Sequence, residues 1–136
     1  MHVIDPSNLA GNPGDPAYFT GAVMLRPMVP NEPPEDLPHN AKLTRVEFPA
    51  GARTAWHTHT RVQVLFVAAG RCRFQHAGGP VQEAATGATI WIPAGEKHWH
   101  GATPDAPMVH VALNIDLETA WLEPVTDEQY SAGTFS

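Results

Sequence analysis

The residues with the clearest chemical potential are two H-x-H pairs, His57/His59 and His98/His100, which hold half of the chain's eight histidines. Side chains two apart on a strand point to the same face, so His57 and His59 reach one place together. Gln63 shares their parity and joins them if the chain stays extended. His98 would add a third imidazole from another strand. Imidazole nitrogen suits zinc, copper, iron and nickel, and an amide oxygen can fill a further position and suits harder ions such as manganese. Three imidazoles on one side leave the opposite positions open to water or substrate, as metal catalysis requires. His57, His59, Gln63 and His98 are therefore the candidate ligands of one divalent metal per chain.

Other residues could serve such a centre. His110 lies in the run MVHVALNI, where Met108, His110, Ala112 and Asn114 share one face and Val109, Val111, Leu113 and Ile115 share the other. The apolar face reads as the packing face, and the mixed face then lines a ligand cavity. A neutral imidazole there is a natural general base near neutral pH. His100 should share the face of His98, as an extra ligand, a substrate contact or a rim residue. Thr54, three residues before the first ligand, either hydrogen-bonds a substrate or caps local backbone. Trp56, Trp91 and Trp99 flank the motifs and read as core or interface aromatics. His2, His39 and His76 read as solvated.

The elements that must position these residues are short strands. Residues 1–16, rich in Pro, Gly, Asn and Asp, read as an arm without its own core. Tyr18 to Met28 can make one or two short strands, and the proline-rich segment 30–38 reads as a loop. From Lys42 the pattern alternates with period two: Thr44, Val46 and Phe48 against Leu43, Arg45 and Glu47. Strands follow at Val62–Ala68, at Arg71–His76 and Val81–Ala84 around a long Gly78-Gly79-Pro80 turn, at Thr89–Ile92 and at Val109–Ile115. Residues 116–130 carry Leu117, Ala120 and Trp121 at near-helical spacing, with Pro124 limiting any helix to a short one. Regular short strands separated by turn signals predict an all-β sandwich or barrel.

Composition sets the outer limits. The length of 136 residues fits one domain: an arm over 1–16, a barrel over about 17–115 and a tail over 116–136. The hydrophobic content of 43% is that of a soluble globular protein, and the 14 prolines and 11 glycines leave little room for long helices. A net charge of −6 with eight scattered Lys and Arg shows no footprint for nucleic acid. The lone cysteine, Cys72, rules out an intrachain disulfide, and no signal-like or membrane-length apolar run is present. Together these point to a cytoplasmic protein acting on a small molecule, with neither nucleic acid nor membrane as partner.

The spacings are more specific than the single pairs. Gly51-x5-His57-x-His59-x3-Gln63-x6-Gly70 is followed by Gly87-x5-Pro93-x-Gly95-x2-His98. These runs, covering about residues 42–115, resemble the paired motifs of the cupin superfamily, which implies a double-stranded β-helix, or jelly-roll barrel. Two positions depart: Gln63 stands where the first motif usually has Glu, and Ala102 where the second usually ends in Asn. Three His and one Gln carry no ligand charge, so a divalent metal keeps its full charge and becomes a stronger Lewis acid. The stretches GARTAWHTH, PAGEKHWHGA and VTDEQY are similar to those of the bacterial manganese-dependent cupin hydroxynitrile lyases, over about Asp15 to Tyr130.

That resemblance implies a manganese held by His57, His59, Gln63 and His98, with iron, zinc or nickel as other candidates. It also implies an acid/base at His110, a pocket position at Thr54, and cleavage of a cyanohydrin to an aldehyde and hydrogen cyanide. Pairing is implied too, as a homodimer or homotetramer built through edge strands, the N-terminal arm, and Trp121 with Leu122. The competing readings are an oxygen-using cupin dioxygenase with iron or manganese, and a barrel that binds a small ligand without turnover.

Overall fold

The computed structural model describes residues 1, 3–30, 33–37 and 40–133. His2 and His39 lie outside the described residues, as do Asn31, Glu32 and Pro38 of the proline-rich loop. The described strands are β1 (Asn12–Pro13), β2 (Phe19–Thr20), β3 (Met24–Pro27), β4 (Ala41–Phe48), β5 (Arg53–Thr54), β6 (His57–His59), β7 (Gln63–Ala69), β8 (Arg71–His76), β9 (Gln82–Ala85), β10 (Thr89–Ile92), β11 (His98–Ala102), β12 (Met108–Ile115) and β13 (Thr119–Trp121). One short helix, α1 (Asp127–Ser131), follows them.

The strands form two antiparallel sheets that close into a jelly-roll barrel. The first runs β1-β3-β4-β12-β7-β10, and the second runs β13-β6-β11-β5-β2 with β8 and β9 joined to β11. Buried side chains from both sheets meet between them: Val46, Phe48, Val67 and Met108 from the first, Cys72 and Ala102 from the second. A satellite core gathers Trp56, Val81, Trp99, Val125 and Tyr130. No helix among the described residues is long and apolar enough to cross a membrane.

β11 is the hinge of the second sheet. It pairs with β8 along His98–Ala102, with β6 at His98↔His57 and with β5 at Gly101↔Arg53. Gly101 permits the last contact, because a Cβ there would run into the Ala52 carbonyl and Arg53. That close approach sets Thr54 beside His100.

Two expectations need correction. The tail does not continue as a helix through Leu117, Ala120 and Trp121. Thr119–Trp121 instead pairs with β6, where an open edge offers backbone partners that a short helix could not use. The helix begins after Pro124, at a capping box in which the Thr126 hydroxyl accepts from the Gln129 amide and the Gln129 side chain accepts from Thr126. The N-terminal arm adds an edge strand, with Asn12 and Pro13 pairing with β3. Finally, on β12 the mixed face is the buried one, with Met108 at 0%, His110 at 1% and Ala112 at 5% exposure, whereas Leu113 and Ile115 are exposed at 40% and 42%. The barrel interior takes the face that carries the polar groups, because hydrogen bonds and site chemistry await them there.

The tail is tied down by two arginines. Arg53 donates to the Val125 carbonyl at 2.8 Å and to Asp127 Oδ1 at 2.7 Å. Arg73 donates to the Tyr130 carbonyl at 3.0 Å, and Tyr130 Oη donates to the Ala102 carbonyl at 2.5 Å.

Candidate metal centre

The short strand β6 holds His57 and His59 on one inward face, as its period of two requires. β11 brings His98 opposite His57, with the ring centroids 4.2 Å apart. Gln63 arrives differently from the expectation of one extended run. The chain bends at Thr60 and Arg61, so Gln63 begins β7 in the other sheet and reaches the histidines from across the barrel. Its Oε1 lies 2.9 Å from His59 Nε2, while its Nε2 donates to Asn114 Oδ1 at 2.9 Å.

The back sides of the imidazoles are fastened. His57 Nδ1 donates to the Ala55 carbonyl and His98 Nδ1 to the Glu96 carbonyl, both at 2.8 Å. A carbonyl can only accept, so each of these rings carries its proton on Nδ1 and presents a bare Nε2 to the interior. His59 Nδ1 lies 2.9 Å from the Thr119 hydroxyl. Such outer partners are the usual way a protein orients imidazole ligands.

His100 and His110 complete the inner cluster. His110 Nε2 and His100 Nδ1 form a buried hydrogen bond of 3.0 Å. Thr54, 1% exposed, accepts from the His100 backbone amide at 3.2 Å, so it is a strand residue in a cross-strand contact rather than a loop cap. The donor atoms of His57, His98 and His100 lie within 4.8 Å of one another. His59 and Gln63 border this trio, the His59 ring centroid lying 4.9 Å from that of His57 and 5.2 Å from that of His98.

Burial governs the protonation of the cluster. It pushes His57 down to about 2, and the neighbouring His98 further opposes a positive charge there. It pushes His98 and His110 down to about 4. His100 falls well below the ordinary imidazole value and His59 falls too, both from burial first. All five imidazoles are neutral at neutral pH. His98 Nε2, His100 Nε2 and His110 Nδ1 are fully buried with no hydrogen-bond partner. Buried polar atoms without partners are costly, and a divalent cation between neutral nitrogens and an amide oxygen would give His98 Nε2 a partner. The donor set therefore fits a metal.

Thr54, His57, His59, Gln63, His100 and His110 line a cavity of about 120 Å³, and His98 is not among its lining residues. Thr44, Val46, Ala112 and Asn114 form part of its wall, and Phe19, Leu25 and Trp121 form an apolar part. Trp121 sits 4.7 Å from the His57 ring and stacks on Tyr18 at 4.8 Å. It is engaged within the chain, whereas Leu122 is 40% exposed. Trp56 and Trp99 are core residues, but Trp91 is 67% exposed; His76 is exposed as expected. The sequence reading missed the site contacts of Thr119, Trp121 and Phe19. The signal for Thr119 and Trp121 was an aromatic and hydroxyl-bearing tail, which spacing alone could not bring to β6, and Phe19 comes from β2, which pairs with β5 at Thr54.

A model of the cupin domain matches residues 44–114. The (R)-mandelonitrile lyase of Granulicella tundricola is 44% identical over 133 residues, which is 96% of this chain and 98% of that protein. Among solved structures, a cupin-like protein of Thermotoga maritima superposes with a TM-score of 0.82 at 34% identity, covering 93% of this chain and 95% of that one. The polyketide cyclase of Streptomyces resistomycificus superposes with a TM-score of 0.70 at 18% identity, covering 96% and 90%, a likeness of fold alone.

Proposed function

The chain belongs to the cupin family, and from that premise we propose that it is a metal-dependent lyase that cleaves cyanohydrins to an aldehyde and hydrogen cyanide, and runs the reverse addition. The observation that carries the reading is the set of buried, neutral imidazoles. Two have their Nδ1 protons held by backbone carbonyls, and the partnerless nitrogens of His98, His100 and His110 lie among the buried rings. The relative named as a mandelonitrile lyase, similar over nearly its whole length, supports the same reaction class.

His57, His59, Gln63 and His98 would hold the metal, and manganese is the ion proposed. When bound, it supplies Lewis acidity that lowers the pKa of the substrate hydroxyl. A donor set without negative charge favours this polarising role over oxygen chemistry. His110 sits at the cavity wall with its imidazole neutral, so it can take the hydroxyl proton. The hydroxyl oxygen then becomes the aldehyde carbonyl as the carbon–carbon bond breaks, and the bond's electron pair leaves with cyanide. The resulting imidazolium is acidic, because burial disfavours its charge, and it returns the proton to cyanide. His100 shares the 3.0 Å contact with His110 and holds that ring in position. Phe19, Leu25 and Trp121 would receive the apolar end of the substrate.

The manganese-loaded protein should release benzaldehyde and cyanide from mandelonitrile in equal amounts, at the same rate under argon as in air. Oxygen uptake linked to turnover would instead favour a dioxygenase, and tight binding without release would favour a binding barrel. The reading extends to assembly as a homodimer or homotetramer, supported by the exposed Val62, Phe66, Trp91, Leu113 and Ile115 on the outer face of the first sheet.

A further inference from the structure

An amide can face a cation with one end only. Its oxygen has lone pairs to offer, whereas its NH₂ group presents hydrogens and repels positive charge. The two ends have nearly the same shape, so a hydrogen-bonding partner, rather than packing, chooses between them. Gln63 is buried at 5% exposure, and its Nε2 donates to Asn114 Oδ1 at 2.9 Å. Its Oε1 is thereby turned toward the histidines and lies 2.9 Å from His59 Nε2, a spacing that suits two ligand atoms facing one cation. The partnership follows from the fold. β12 pairs with β7 with Ala112 opposite Leu65 and Leu113 opposite Val64, and the next step of that register sets Asn114 opposite Gln63. Ala112 and Leu65 are buried and Leu113 is exposed, so alternation puts Asn114 and Gln63 together on the inner face, where both line the cavity.

We propose that Asn114 is a positioning residue whose carbonyl oxygen turns the Gln63 amide so that Oε1, and not the NH₂ group, is the atom offered to the metal. The inference rests on the proposed metal reading and adds to it a residue outside the ligand set. A carboxylate at position 63 would need no such partner, because either of its oxygens can face a cation. An amide ligand brings a second requirement, an acceptor for its NH₂ group. Asn114 meets that requirement without adding charge, so the donor set and its support both stay neutral.

The test is titration of the metal-stripped, full-length protein with Mn²⁺ alone, with free Mn²⁺ read by electron paramagnetic resonance. Asn114→Leu should weaken Mn²⁺ binding by about 10- to 100-fold. Asn114→Asp, which keeps an acceptor oxygen, should bind at least as tightly as the wild type. Gln63→Glu removes the need for orientation, so the double variant Gln63→Glu/Asn114→Leu should bind as tightly as Gln63→Glu alone. That dependence on residue 63 separates positioning from a loss of fold, which would weaken both backgrounds alike. An Asn114→Leu protein that binds like the wild type, or a loss equally large in the Gln63→Glu background, would overturn the inference and leave the metal reading intact. Wild-type protein that takes up no Mn²⁺ would overturn both.

Discussion

At the scale of the residue, the pair His110 and His100 separates proton transfer from metal retention. His110 is buried in contact with His100 and lies outside the proposed ligand set. His110→Ala should lower aldehyde release by about 100- to 10,000-fold, the range of general acid–base catalysis, with metal content unchanged. Elemental analysis beside the rate assay checks both halves, and loss of the metal together with the rate would assign His110 to retention instead. The histidine pairs were legible in the sequence because strand periodicity alone puts alternate side chains on one face. Gln63 was expected to join the histidines along an extended chain and reaches His59 instead after a bend at Thr60 and Arg61, about which parity says nothing. Asn114 was legible as a cavity residue, but not its bond to Gln63 across 51 residues, and Thr119 was not legible as a partner of His59, 60 residues away.

At the scale of the element, the tail acts as a brace. β13 covers the edge of β6, and α1 brings Tyr130 to the Arg53 and Arg73 guanidinium groups, with Arg53 lying 4.6 Å over its ring. The Thr126 cap closes that helix, and Asp127 and Glu128 in its first turn complement the exposed amides. Thr126→Ala should cost about 1 kcal/mol and lower the thermal midpoint, with Thr126→Ser recovering most of it. An unchanged midpoint would mean the tail contributes little to the barrel. The central strands were readable from alternation at Thr44, Val46 and Phe48. The tail strand was not, because Leu117, Ala120 and Trp121 mimic a helical repeat, and only the open edge of β6 decides for a strand. The same limit applied to β12, whose apolar face reads as core until the cavity claims the face with His110.

At the scale of the whole molecule, the buried neutral imidazoles make the metal-free protein acid-sensitive. Their folded values lie below the ordinary 6.5, so the unfolded chain binds more protons in acid. The stability they carry is complete above pH 6.5 and is lost as the pH falls toward about 4 for His98 and His110, and on toward 2 for His57. Thermal midpoints of the metal-free protein should fall steadily from pH 6.5 to 4, and less steeply in His110→Asn; a flat profile would contradict the burial account. The exposed outer face bears on assembly. Trp91, 67% exposed, stands with Val62, Val64, Leu113 and Ile115 around an apolar groove. Trp91→Glu should shift the particle mass in light scattering toward a single chain, and an unchanged mass would place the interface elsewhere.

The measurement that bears most directly on the central claim is aldehyde release from mandelonitrile in mildly acidic buffer by metal-stripped protein, before and after reloading with manganese, for wild type and His57→Ala. The account predicts release that is absent without metal, returns as the wild type takes up one manganese per chain, and stays absent in His57→Ala. Release that is equally fast in the stripped protein, or no release above background from the fully loaded one, would contradict it.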